Sequence, residues 1–393
     1  MVLSVIYLDH AATTPLDPRA REAMLPWLDC ANPSSQHATG REARMAIDTA
    51  REFVAEAMGC LTGEVIFTSS GTEACVTAIL GAARAGLSGS RKRILIGAAE
   101  HHAVLHCEKQ LLEFGYLVEF VPATWAGALD ASRLEVADDV LLVCAMHANN
   151  ETGAISDVEA VAGKCKHAGS LFFCDAVQTF GKLPLPDADL ISVSAHKVYG
   201  PKGVGALRIR AGAKIEPLMA GGGQEREMRG GTENVAAIQG FGTAVSSWLL
   251  PPSGRTPQNE EANADAMPAW GDGKARLRGI RDLFIDEVRR LIPTAIFSAE
   301  GAPCLSTHAH LRIPGVSAEV ALINLDRLGV AASSGAACSS GSVEPSHVLL
   351  AAGLSEQESA EGLRFTFGAS NHEEHACKAA TLLAEAVSAA RTR

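Results

Sequence analysis

The chain has 393 residues, 47% hydrophobic and 20% charged, with a formal net charge of −11. That is an ordinary globular composition, long enough for roughly two or three domains. The acidic balance and the lack of any basic block exclude a general nucleic-acid or anionic-membrane binder, because phosphate neutralisation needs clustered Lys and Arg. No apolar run approaches the roughly 20 residues of a membrane-spanning helix, and the N-terminus has no basic stretch of the kind that opens a secretory signal. The ten cysteines include no CxxC pair, and a chain of this length needs no disulfide framework, so a reduced, cytoplasmic setting is expected. Nine of the ten read as buried packing groups.

From the N-terminus, the apolar run ending at Tyr7-Leu8-Asp9 reads as a strand. Short continuous apolar runs then predict strands at Glu64–Thr68, Arg93–Gly97, Leu117–Pro122, Val140–Met146, Ser170–Asp175, Leu190–Ser194 and Gly205–Ile209. Such runs suit a sheet covered on both faces. Helical patterns lie between or after them at Thr72–Ala85, Ala103–Phe114, Val158–Ala168 and Val235–Leu249. The alternation predicts an α/β fold with a mostly parallel, doubly wound, seven-stranded sheet. Pro251 to Gly273 holds four prolines and no clear apolar period, and reads as a surface excursion at a boundary. Beyond it a helix over Lys274–Leu291, strands near Ala309–Ile313 and Val330–Ala332, and a helix over Glu373–Arg391 make a smaller α+β unit. The expected division is a large unit over residues 15–257, and a small unit of residues 1–14 with 258–393.

In α/β sheets, functional groups collect beyond the carboxyl ends of strands, and four ends here are polar. Phe67-Thr68-Ser69-Ser70-Gly71-Thr72 runs from strand into helix, where free N–H groups and the helix dipole make a seat for phosphate. The second end is His147-Ala148-Asn149-Asn150-Glu151-Thr152-Gly153. The third places Asp175 at the mouth of a buried strand, where it needs a cationic or donor partner. The fourth is Ser194-Ala195-His196-Lys197, and a desolvated lysine there is a nucleophilic amine. Taken singly, each end also has a plain structural reading: a helix cap, a capping aspartate, a lysine reaching to solvent. Together, a phosphate seat, an acid for a pyridinium nitrogen, and a lysine 22 residues after that acid are what pyridoxal phosphate requires. One further feature is the tiny-residue run Ser333-Ser334-Gly335-Ala336-Ala337-Cys338-Ser339-Ser340-Gly341-Ser342. It reads as a loop presenting an accessible, candidate nucleophilic thiol.

With these residues stand the longer runs Tyr7-Leu8-Asp9-His10-Ala11-Ala12-Thr13-Thr14-Pro15, Asn32-Pro33-Ser34-Ser35, Arg229-Gly230-Gly231-Thr232-Glu233-Asn234 and Glu344-Pro345-Ser346-His347. From Tyr7 to about Gly368 the chain resembles the cysteine desulfurases of the NifS/IscS group, class V of the fold-type I pyridoxal-phosphate enzymes. The resemblance implies a homodimer that converts L-cysteine to L-alanine and leaves a persulfide on Cys338 for a sulfur-acceptor protein. It implies Lys197 as the Schiff-base lysine, Asp175 on the pyridinium nitrogen and His101 over the ring as proton carrier. Gln178 and Asn150 would lie near the ring oxygen and the substrate. Gly71, Thr72, Ser194 and His196 would hold the phosphate, with Thr232 reaching it from the neighbouring subunit, and Arg364 with Asn32 would bind the substrate carboxylate. No metal is implied. Where the family often has Glu-Ser-Asp-Asn after the phosphate threonine, this chain has Glu73-Ala74-Cys75-Val76. The chain ends soon after its last helix, without the long tail by which some relatives engage an iron–sulfur scaffold, so the acceptor stays open among iron–sulfur assembly, tRNA thiolation, cofactor synthesis and DNA modification. Selenocysteine lyase and a class V aminotransferase are the alternative reactions on this scaffold. The aminotransferase has no need of Cys338.

Overall fold

A computed structural model describes residues 5–250, 270–335 and 345–391. In chain order, β1 (Ile6–Tyr7), α1 (Pro18–Met24) and α2 (Ala38–Met58) precede β2 (Val65–Thr68), α3 (Gly71–Ala85) and β3 (Arg93–Gly97). There follow α4 (His102–Leu105), α5 (Glu108–Glu113), β4 (Leu117–Val121), β5 (Val140–Met146), α6 (Val158–Ala168), β6 (Leu171–Asp175), β7 (Leu190–Ser194), β8 (Gly205–Ile209) and α7 (Val235–Trp248). The remainder is α8 (Trp270–Leu291), β9 (Ile296–Phe297), β10 (His308–Arg312), α9 (Ala318–Arg327), β11 (Val330–Ala331), α10 (His347–Ala351), α11 (Glu356–Ser359), β12 (Gly362–Thr366) and α12 (Glu373–Arg391).

β2 to β8 form a seven-stranded sheet in the order β2-β8-β7-β6-β5-β3-β4. Every pairing is parallel except those of β8, which runs antiparallel to both β7 and β2. Consequently β2, β5, β6 and β7 all end on one edge of the sheet. Apolar side chains are buried on both faces: Ile47, Val54, Phe67, Val143, Phe172 and Phe241 in one cluster, and Ile79, Ile94, Leu142, Phe173 and Leu207 in another. A separate cluster joins Ile6 and Leu8 to Leu277, Phe284, Leu311, Phe365 and Leu383. The N-terminal strand therefore packs with the C-terminal third, where β1 pairs β11 and β12 pairs β10.

Several expectations need correction. The helix expected over Ala103–Phe114 is two short helices, because the chain tightens at His106, whose N–H bonds both His102 O and Val104 O. The long α2 went unpredicted. Its buried stripe of Ala43, Ile47, Ala50, Val54 and Met58 has helical spacing but is diluted by alanine. The excursion over Pro251–Gly273 lies largely outside the described residues, and α8 already begins at Trp270. The cysteines expected to be buried divide: Cys75, Cys107, Cys144, Cys165 and Cys174 are buried, Cys30, Cys60 and Cys304 partly so, and Cys377 is exposed. Cys377 follows the buried Ala376 by one residue, which turns it about 100° round the helix and away from the core.

Candidate active site

The seat at the end of β2 is built by Ser70, the extended N-cap of α3, whose Oγ accepts from Glu73 N at 3.1 Å. This leaves the first N–H groups of α3 without intrahelical partners. Glu73 in turn accepts from Ser69 N at 2.8 Å and from Arg229 Nε at 3.0 Å, which ties the seat to the Arg-Gly-Gly-Thr run. Glycine is required at two places. A Cβ on Gly71 would stand 2.8 Å from Val177 Cγ2 and 3.3 Å from Ser194 Cβ. One on Gly205 would stand 2.7 Å from Ser70 C and 2.9 Å from Gly71 N. β8 can therefore abut the seat only as glycine.

From this seat a cavity of about 350 Å³ runs along the sheet edge. Gly71, Thr72, His101, Asn150, Asp175, Gln178, Ser194, His196, Lys197 and Arg364 all line it, together with Ala11, Ala12, Cys75, Ser333 and Gly335. Ten of the residues singled out in the sequence thus share one space. Asn32 and Thr232 do not join it. Asn32 is exposed and its Oδ1 accepts from Ser34 N at 2.8 Å, while Thr232 is exposed on the loop before α7. Cys338 lies outside the described residues, although Ser333 and Gly335, just before it in the chain, line the cavity.

Asp175 ends β6 with Oδ1 accepting from Val177 N at 2.9 Å and Ser192 Oγ at 3.3 Å, and Oδ2 from Cys75 Sγ at 3.7 Å. Lys197 closes a 3-10 turn directly after β7. Its Nζ donates to Ala11 O and, at 2.9 Å, to Ala12 O. Burial pulls this amine down to about 7, with Arg364 and Lys182 adding to the effect and Asp9 and Asp175 opposing it. Burial likewise lowers His196 to about 4. It lowers His101 too, where Asp175 opposes the effect and Lys197, His102 and His347 add to it. His101 is the N-cap of α4, its Nδ1 accepting from Ala103 N at 3.0 Å. Arg364, on β12, donates from Nη1 to Asn150 O and from Nη2 to Asp9 Oδ1, each at 2.8 Å.

Among the described residues, three buried atoms in the cavity wall lack partners: Ser194 Oγ beside Gly71, Arg364 Nε, and Gln178 Oε1, whose Nε2 is held by Ala11 O at 3.0 Å. Unsatisfied buried polar groups are costly unless a ligand meets them. A phosphate at the α3 terminus would meet Ser194, and the wall carries both an amine and a carboxylate, so the donor set fits pyridoxal phosphate. Residue spacing missed four contributors. Asp9 and the Ala11 and Ala12 carbonyls belong to the Tyr7–Pro15 run, where no residue type or spacing signals a role, and Cys75 stands out in the sequence only as a departure from the family pattern.

Comparison with known proteins agrees with this geometry. Residues 6–254 match the family described as aminotransferase class-V. The chain is 42% identical to a cysteine desulfurase IscS of Dictyoglomus turgidum, over 92% of this chain and 89% of that protein. It is 39% identical to a putative cysteine desulfurase IscS 1 of Bacillus subtilis, over 97% and 98%. A solved NifS-like protein superposes with a TM-score of 0.85 at 30% identity, covering 98% of this chain and 99% of its own. The chain belongs to the class-V aminotransferase family, within its NifS/IscS group of pyridoxal-phosphate-dependent cysteine desulfurases.

Proposed function

We propose that this chain removes sulfur from L-cysteine, releasing L-alanine, and holds that sulfur as a persulfide on Cys338 for transfer to an acceptor protein. The observation that carries the reading is the convergence of Lys197, Asp175 and Arg364 on one cavity beside the α3 seat. Gly71, Thr72, Ser194 and His196 would hold the cofactor phosphate, Asp175 its ring nitrogen, Gln178 and Asn150 its ring oxygen side, and Lys197 its aldehyde carbon. When bound, pyridoxal phosphate supplies an electron sink for the bonds at the substrate Cα.

The chain's own groups do the rest. Arg364 binds the α-carboxylate, and Asn32, which lies outside the cavity in this structure, would have to move to join it. Lys197, an amine that burial lowers to about 7 and so leaves about half neutral near pH 7, takes the Cα proton on Nζ. The Cys338 thiolate attacks the substrate sulfur, so the S–S bond forms as the C–S bond breaks. The electron pair of the broken bond stays with the alanyl fragment, and His101 carries the proton that completes alanine. Gly335 lines the cavity, and Cys338 follows it by three residues in the sequence.

We further assign residues 15–257 to a large cofactor-binding unit and residues 1–14 with 258–393 to a smaller one that carries Cys338. The core joining Ile6 to Phe365, whose buried residues among those described include only Tyr199 and Trp248 from the large unit, supports this division. A homodimer in the cytoplasm, with Thr232 contributed to the partner's phosphate, completes the reading. No described helix is long and apolar enough to cross a membrane.

Lys197→Ala tests the reading. The folded variant is expected to lose both turnover and the visible absorbance of lysine-bound cofactor. Full colour that borohydride fixes to another lysine would refute it.

A further inference from the structure

Behind Lys197 sits a second lysine that the assignments above leave unused. Lys182 ends the turn after β6, its N–H donating to Thr179 O at 2.7 Å, directly after Gly181 at φ 71°. Lys182 and Lys197 line two small cavities together, each of about 10 Å³. One is shared with His10, Thr14, Tyr199 and His308, the other with Phe180, Val198, Tyr199 and Trp248. Lys197 also lines the large cavity, whereas Lys182 does not. Lys182 therefore borders Lys197 from outside the cavity that takes the substrate.

The charges around the pair are unequally balanced. Arg364 acts on Lys197 but is itself matched by Asp9 at 2.8 Å. On the substrate side Asp9 and Asp175 attract the Lys197 proton. Among the described residues Lys182 forms no ion pair, and burial lowers its amine to about 8. The imidazoles beside it stay neutral: His10 is lowered to about 4 and His308 further, burial leading and Lys182 adding in both. Burial raises the Tyr199 hydroxyl to about 12, and His196, beyond Lys197, is lowered to about 4. Two amines close together in a desolvated space disfavour each other's protonation, so the proton on one weakens the hold of the other.

We propose that Lys182 is a positioning charge for the active site: its unpaired cation behind Lys197 opposes protonation of Lys197 and so favours Lys197 as the free, nucleophilic amine. A substrate carboxylate on Arg364 cancels that residue's field, whereas nothing in the cycle cancels the field of Lys182. This inference rests on Lys197 being the cofactor-bearing lysine.

Competitive acetylation of the cofactor-free protein with acetic anhydride, read lysine by lysine by peptide mass spectrometry against pH, tests it. In the wild type Lys197 should titrate below Lys182. In Lys182→Met the Lys197 midpoint should rise by about one pH unit, cutting its labelling at pH 7 several-fold, while Lys182→Arg should keep the midpoint low. An unchanged midpoint in Lys182→Met overturns the proposal. Should that variant not fold, Lys182 titrating below Lys197 in the wild type overturns it equally. Because no cofactor is present, the assignment of Lys197 as cofactor lysine stands or falls separately, by borohydride fixation.

Discussion

Arg364 is oriented before any substrate arrives, with one Nη on Asn150 O, the other on Asp9, and Nε buried without a partner. A guanidinium so fixed presents a planar fork to a carboxylate, which a lysine ammonium cannot reproduce. Losing one charge-assisted hydrogen bond of roughly 1.5–3 kcal/mol predicts that Arg364→Lys raises the KM for cysteine about 10- to 100-fold and leaves the cofactor absorbance intact. Steady-state kinetics with an unchanged KM would exclude the carboxylate role. At this scale the sequence was legible wherever a polar residue directly followed an apolar strand, as at Asp175 and Lys197. It was silent on Asp9 and Lys182. Their importance lies in proximity to Arg364 and Lys197 across hundreds of residues, or across a turn, and no local pattern encodes that.

Between elements, a buried ion pair ties α2 and β2 to the segment that precedes α7. Arg51 on α2 binds Glu225 through two bonds of 2.7 Å, and Glu225 also accepts from Phe67 N on β2 at 2.8 Å. Glu225, Arg226 and Glu227 all adopt positive φ, at 45°, 55° and 66°, a conformation that costs L-residues energy and needs such anchoring. Removing one partner of a buried pair costs about 3–5 kcal/mol. Glu225→Ala should lower the unfolding free energy of the cofactor-free protein by that amount in denaturant titrations, and a loss below about 1 kcal/mol would contradict the anchoring role. The strands of the seven-stranded sheet were readable because both faces are covered, giving continuous apolar runs. The long α2 was not, because alanine, glycine and arginine interrupt the large apolar residues of its buried stripe. Nor was the direction of β8, since burial pattern carries no sign of strand polarity.

Across the whole molecule, buried neutral histidines dominate the response to acid. Burial lowers His10 and His147 to about 4, His310 to about 3, and His308 well below its ordinary value. Below about pH 6.5 the unfolded chain binds protons at these four sites that the folded chain refuses, so stability falls as pH falls. Two groups act the opposite way. Burial raises Glu151 to about 6 and Glu100 well above the usual range, so the folded state holds their protons first. His196, lowered by burial to about 4, acts in the same direction as the four, so the histidines outweigh the two carboxyls and the net effect of acid is a loss of stability. The unfolding free energy of the cofactor-free protein should decline steeply from pH 6.5 to 4.5. A flat profile would mean that these histidines are protonated in the fold or reached by water.

The central claim is that sulfur leaves cysteine in the cavity at the sheet edge and is received by one thiol. Wild-type protein loaded with cofactor and given L-cysteine without reductant, then digested and mapped by peptide mass spectrometry, tests it most directly. The account predicts one extra sulfur atom on Cys338 with stoichiometric alanine, and neither product from Cys338→Ser, which should still bind cofactor and cysteine. Persulfide on another cysteine, or substantial turnover by the serine variant, would contradict it.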